Sequence, residues 1–279
     1  MSRIWRIGSK HHDLSKRGMI MGVLNVTPDS FSDGGKYFDL QSAAAHALEM
    51  VAEGADILDI GGESTRPGAD PVSAAEEIRR IVPAIEKLRA QTHALISVDT
   101  MKAEVARAAV AAGADIINDV TGFSDPDMVR AAAETGAGLI LMHMQGTPRT
   151  MQANPVYTDV VREVREFFAS RLANLAEAGV SPASVALDPG FGFGKTQEHN
   201  LALLRALPEL RVSDCVLAVG VSRKSMIARL LQDNDPNARY WPTVALTAWM
   251  RDAGADVIRV HDVKPNAQAM RMIEAIHSP

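Results

Sequence analysis

Short, continuously apolar runs alternate with longer Ala-rich stretches along most of the chain. Runs near residues 19–25, 56–60, 94–98, 115–118, 138–142, 184–187, 215–219 and 256–260 read as strands covered on both faces. The stretches that follow them, near 40–53, 73–90, 102–112, 126–135, 158–178, 197–206, 224–232 and 265–277, read as helices, with an additional helix expected over 239–252. The junctions repeat a phrase. Gly54-Ala-Asp, Gly113-Ala-Asp and Gly254-Ala-Asp each stop a helix and open a strand, and Gly136-Ala-Gly is a looser fourth copy. Glycine suits the position just past a helix end, where the chain turns sharply.

Eight strand–helix units in succession predict an α/β fold, a single (β/α)8 TIM barrel with long loops after strands 1 and 2. Those loops, residues 26–39 and 61–72, are polar and read as lids or substrate clamps. A doubly wound open sheet is the runner-up, but its G-x-G-x-x-G fingerprint is missing, and Gly190-Phe-Gly-Phe-Gly has the wrong spacing. No linker or composition break divides the chain, so one domain is expected over residues 1–279, with 1–17 as an N-terminal extension leading into the barrel.

The apolar runs end in polar phrases that a packed core has no use for: Asn25-Val-Thr-Pro-Asp-Ser, Asp59-Ile-Gly-Gly-Glu-Ser-Thr-Arg, Asp99-Thr, Asn118-Asp119, His143-Met-Gln-Gly, Asp188-Pro-Gly-Phe-Gly-Phe-Gly-Lys, Ser222-Arg-Lys-Ser and Arg259-Val-His-Asp. Parallel strands would carry every phrase to the C-terminal end of the barrel, where such folds build active sites. The pattern points to an enzyme.

Composition narrows the class. A net charge of −5 leaves no basic footprint for nucleic acid, so an anionic ligand must be held by a local cluster of positive groups. Cys215 is the one cysteine, which excludes an intrachain disulfide; its apolar setting reads as a buried structural thiol. Neither a signal peptide nor a stretch of the ~20 apolar residues that span a membrane is read from the chain, and the cytoplasm is the expected compartment.

Arg259 and His261, two apart on the last strand, would present a planar fork and an imidazole on one side, which suits phosphate or pyrophosphate. Asp99, Asn118 and Asp188 each end an apolar strand; converging on one cavity, they suit a flat heterocycle with several N–H donors, such as an aminopyrimidinone edge. N-capping of the following helices is their bland alternative, a strong one for Asp99. Lys224 adds a charge beside a helix N-terminus. Asn25 and Asp33 are oxygen ligands of the hard type Mg²⁺ prefers, and no His or Cys spacing reads as structural zinc.

Together the eight phrases, in order from about Met19 to Asp262, resemble the dihydropteroate synthases, transferases of the folate pathway targeted by sulfonamides. The resemblance implies condensation of 6-hydroxymethyl-7,8-dihydropterin diphosphate with p-aminobenzoate, by dissociative substitution, to give 7,8-dihydropteroate and pyrophosphate. It implies pterin contacts from Asp99, Asn118, Met142, Asp188, Phe193, Lys224 and Arg259. Asn25, Thr65, Arg66, Arg259 and His261 would bind the diphosphate. Phe31, Thr65, Arg66, Pro67, Gly192, Ser222 and Lys224 would shape the p-aminobenzoate site. Asn25 and Asp33 would place Mg²⁺, and Lys224, Arg259, His261, Asp99 and Asp188 would carry the catalysis. A homodimer and sulfonamide sensitivity follow as family expectations. A folate-dependent methyltransferase on the same barrel, or a silent pterin carrier, are the alternatives; the loops Thr27–Gly35 and Ser64–Gly68 favour the synthase, having a purpose only where a diphosphate and a second substrate are gripped.

Overall fold

The computed structural model describes residues 3–26, 36–64 and 70–277, with the side chains of 36–39 excepted. An antiparallel hairpin, β1 (Ile4–Ile7) and β2 (Lys10–Asp13), precedes the barrel. The barrel strands are β3 (Met19–Asn25), β4 (Ile57–Gly61), β5 (Leu95–Asp99), β6 (Ile116–Asp119), β7 (Gly138–Met142), β8 (Val185–Asp188), β9 (Val216–Val219) and β10 (Val257–Val260). All are parallel, and β10 pairs with β3 to close the ring. The helices are α1 (Lys36–Ala52), α2 (Ala74–Arg89), α3 (Ala103–Ala111), α4 (Pro126–Thr135), α5 (Val160–Glu177), α6 (Gln197–Arg205), α7 (Ser225–Leu231), α8 (Tyr240–Asp252) and α9 (Val263–His277). This is the expected (β/α)8 barrel, with α8 as the additional helix between α7 and β10.

The Gly-Ala-Asp repeat explains itself at the N-terminal ends of the strands. Gly54, Gly113 and Gly254 take φ of 110°, 114° and 99°, a region L side chains rarely adopt. Each following Asp then clasps the preceding strand. Asp56, Asp115 and Asp256 donate their own N–H to the carbonyls of Ile20, Ile96 and Leu217. Their carboxylates accept from the N–H groups of the same three residues at 2.9, 2.9 and 2.8 Å. Arginines neutralise them: Arg271 at Asp56, Arg89 at Asp115, Arg211 and Arg3 at Asp256. The repeat therefore serves closure of the barrel floor, on the face associated with stability.

The hairpin is a finding the sequence reading left blank. Trp5, Ile7 and Leu14 are buried against Met21, Ile57, Ile116, Ile140, Ala186, Val216 and Val257, which point into the barrel. Trp5 Nε1 donates to Ser184 O at 3.0 Å. The extension is a plug for the barrel's lower end. On α8, Trp241 and Trp249 are exposed, whereas Met250 is fully buried in the core.

Candidate active site

Side chains alternate along a strand. The outward set, including Leu58, Ile60, Ile96, Val98, Ile117, Leu141, Leu187, Leu217 and Ile258, packs under the helices. The inward set begins with the floor residues Ile57, Leu95, Ile116, Ile140, Ala186 and Val257. Two positions on, toward the C-terminal end, the same inward rows reach Asp59, Ser97, Asn118, Met142, Asp188 and Arg259. One step further, Gly61 and Asp99 stand side by side in register. Asp59, Ser97, Asn118, Met142, Asp188 and Arg259 thus top the inward rows at one mouth.

Arg259 is the hub of the first cluster. Its Nε donates to Asp59 Oδ2 at 2.6 Å and its Nη2 to Asp99 Oδ2 at 3.0 Å. Asn118 Nδ2 approaches the same Asp59 oxygen at 3.4 Å. Side-chain exposure rises from 0% at Asp59 through 13% at Asp99 to 27% at Arg259, so the cluster has a sealed floor and an open rim. Burial and then the charge of Asp59 push the Asp99 carboxyl up to about 7, against the pull of Arg259. Burial opposes the charge on Arg259, but Asp59 and Asp99 more than offset it and raise its pKa. Asp99 does not cap α3: the N-cap is Lys102, with no side-chain cap bond, which removes the capping alternative for that acid.

The second cluster lies across the mouth. Lys224 donates to the carbonyl of Phe191 and sits over the Phe193 ring, 4.6 Å from its centroid. Burial lowers the ammonium to about 8, with Asp188 opposing the shift. Burial also raises the Asp188 carboxyl, while Lys224 and the Gly190 N–H, donating at 2.7 Å, pull it back. Gly192 N–H donates to Asn200 Oδ1 at 2.8 Å, and Gln152 Nε2 donates to the Gly192 carbonyl. Met142 is buried at the end of β7, close beside Gly190. Lys224 precedes α7 as its N-cap rather than opening the helix, so its contribution is the ammonium itself.

Arg259 and His261 do not form the simple pair that their spacing predicted. β10 ends at Val260, and the imidazole Nδ1 of His261 lies 3.0 Å from Ser222 Oγ, while Arg259 is committed to the two acids. Asn25 tops β3, exposed, with its Oδ1 beside Gly61. Phe31, Asp33, Thr65, Arg66 and Pro67 lie outside the described residues. Among the described residues no group of three or more His, Cys, Asp or Glu side chains has metal-holding geometry. A hard ion that keeps waters and takes phosphate oxygens needs few protein ligands, and an exposed amide oxygen at the mouth fits that demand.

Three residues escaped the sequence reading. Asp59 lay inside a recognised phrase but received no role, although an acid in the apolar frame Ile57-Leu-Asp-Ile is itself a signal. Lys195 and His143 were likewise in phrases without roles. Both are buried, with Lys195 Nζ within 3.0 Å of the carbonyls of Gly190 and Phe193.

The fold and the mouth define a barrel enzyme whose cavity offers acids and an amide to a nitrogen-rich ring and cations to its substituents. Comparison with known proteins gives the class a name. Residues 21–261 match the family of pterin binding enzymes. The dihydropteroate synthase of Escherichia coli (strain K12) is 49% identical over 256 residues, 92% of this chain and 90% of that protein. The dihydropteroate synthase of Yersinia pestis, solved with a sulfonamide drug, superposes with a TM-score of 0.92 at 45% identity, covering 99% of this chain and 100% of the other. That of Xanthomonas albilineans, solved with 4-aminobenzoic acid, gives 0.92 at 43% identity, with both chains fully covered. The chain belongs to the dihydropteroate synthase family of pterin binding enzymes.

Proposed function

We propose that this chain is a transferase that joins 6-hydroxymethyl-7,8-dihydropterin diphosphate to p-aminobenzoate, releasing pyrophosphate and 7,8-dihydropteroate. The reading is carried by one observation: relatives that are synthases align along nearly the whole chain. They favour the synthase over a folate-dependent methyltransferase or a silent pterin carrier.

Asp99, Asn118 and Asp188 would accept from the ring's N–H donors, with Lys224 and Phe193 on its other side and Met142 filling the apolar edge. Arg259 and His261 would receive the diphosphate. The reaction breaks the bond between the pterin methylene carbon and the diphosphate oxygen, and the electron pair leaves with pyrophosphate. The aniline nitrogen then donates its lone pair to that carbon and afterwards loses a proton. The amine is neutral at pH 7, so no strong general base is assigned. In a dissociative course Asp99 and Asp188 stabilise a cationic pterin electrostatically. Ligand-bound crystals that never trap pyrophosphate beside a pterin cation, with kinetics requiring direct displacement, would overturn that course.

Asn25, with Asp33, would hold Mg²⁺, which neutralises charge on the departing diphosphate. Phe31, Thr65, Arg66, Pro67, Gly192 and Ser222 would complete the p-aminobenzoate site, and a sulfonamide would compete there. Among the described residues no helix is long and apolar enough to cross a membrane, and we place the reaction in the cytoplasm. The exposed Trp241, Trp249, Met272 and Ile276 on α8 and α9 support a homodimer. The test is identification of 7,8-dihydropteroate as product, formed by the purified chain and lost in Lys224→Ala and Arg259→Ala variants that remain folded. A folded chain that makes no such product contradicts the reading.

A further inference from the structure

Asp59 is a fully buried polar group of the mouth, and none of the substrate contacts above uses it. Its side chain is fully buried, so it cannot turn to water as the partly open Asp99 can. A single oxygen, Oδ2, holds both Arg259 Nε at 2.6 Å and Asn118 Nδ2 at 3.4 Å. Arg259 meets Asp99 through a different nitrogen, at the longer distance of 3.0 Å. The guanidinium is therefore held twice, once by an acid that is sealed and once by an acid at the rim. Among the described residues the other Asp59 oxygen, Oδ1, has no hydrogen-bond partner, and neither has Oγ of Ser97, its neighbour in register. Buried polar atoms of this kind are completed by ordered water or by a ligand. Both residues are more buried than the substrate-facing Asn118, Asp188 and Arg259.

We propose that Asp59 is a positioning residue for the pterin pocket: it fixes Arg259 and Asn118 from below, so that Asp99 can exchange its guanidinium contact for the ring N–H donors of the bound substrate. The inference rests on the synthase reading. A carboxylate that accepts from the ring must weaken its hold on Arg259. Without a second anchor the guanidinium would follow the charge or swing toward solvent, and the diphosphate site would lose its register. Asp59 supplies that anchor while touching no reacting atom. Asn118 gains the same benefit, because the amide's donor side is tied down and its carbonyl is left to face the cavity.

The test is a double-substitution cycle. Asp59→Asn keeps the shape and an acceptor for Asn118 but removes the charge under Arg259. We expect kcat/KM for the pterin diphosphate to fall about tenfold or more, with KM for p-aminobenzoate within about twofold. In an Arg259→Gln background the same substitution should cost less than about threefold, because the group it acts through is gone. That double variant carries neither charge of the Asp59–Arg259 pair, and its binding of the pterin diphosphate, read by calorimetry against Arg259→Gln alone, gives the same comparison if Asp59→Asn alone unfolds. Losses that multiply independently, or a KM for p-aminobenzoate that rises in step, would overturn the proposal and leave an ordinary structural ion pair. Absence of turnover in the unsubstituted chain would remove the synthase reading, and the proposal with it.

Discussion

Lys195 Nζ lies 3.0 Å from His143 Nδ1, with both side chains buried. Burial first, and then the lysine's charge, pull the imidazole down to about 3, so His143 is neutral at pH 7 and its Nδ1 accepts. The ammonium also reaches the carbonyls of His143, Gly190 and Phe193. It ties the end of β7 to the loop that carries Gly192 and Phe193, and Lys224 grips that loop from the cavity side at Phe191.

Lys195→Met should accordingly destabilise the fold by about 3 kcal/mol, because three carbonyls and an imidazole nitrogen lose a buried donor. Urea unfolding measures the loss. A change under about 1 kcal/mol would show that the loop is held by its other contacts.

Asp99 offers a trade between stability and activity. Its carboxyl is raised in the folded state to about 7, mainly by burial. Between the ordinary carboxylate range and that value the folded state binds more protons than the unfolded one, so this group's contribution to stability falls as pH rises through the window. Asp59 and Asp99 also share the single Arg259 between them. Asp99→Asn should therefore keep or raise the Tm at pH 8 while lowering kcat/KM for the pterin diphosphate at least about tenfold. A Tm drop equal to that of a core cavity would contradict this account of the cluster.

The pH dependence of kcat/KM should be bell-shaped. Asp99 ionises near 7 and Lys224 loses its proton near 8, so the form with both groups charged spans a narrow range. The acidic limb is set by Asp99 beside Arg259, and the basic limb by Lys224 beside Asp188. A profile flat from about pH 6 to about pH 9 would exclude these two groups as the charged partners.

Trp5 is expected to matter for folding and not for chemistry. It is fully buried in the barrel's lower end and bonded to Ser184 O, far from the catalytic face. Trp5→Ala should cost about 3–5 kcal/mol in urea unfolding, with KM values unchanged in the fraction that remains folded. An altered KM for either substrate would link the plug to the mouth.

How much of this was legible beforehand follows from the kind of signal each feature carries. The eight barrel strands were read to within a residue or so because a strand buried on both faces is continuously apolar, and Gly-Ala-Asp marks the start of three of them. Asp99, Asn118 and Asp188 stood out because each ends such a run, and the structure brings them to one mouth. The hairpin was missed because Ile4–Ile7 is only four residues long and Lys10–Asp13 is polar throughout, so no apolar period shows. Asp59 and Lys195 were passed over for another reason. A lone acid or lysine shows what it holds only through its partners, and Arg259 and His143 are 200 and 52 residues away in the chain. The same distance hid the division of labour at the last strand, where the two acids claim Arg259 and Ser222 takes His261.

The central claim is that one mouth binds a pterin diphosphate and couples its departure to attack by p-aminobenzoate. Pyrophosphate release by the purified chain, with pterin diphosphate and Mg²⁺, in the presence and absence of p-aminobenzoate, tests it most directly. The account predicts sustained release only with both substrates, one pyrophosphate per 7,8-dihydropteroate. Tight pterin binding with no release that depends on p-aminobenzoate would contradict it and move the chain to a pterin-binding role without condensation.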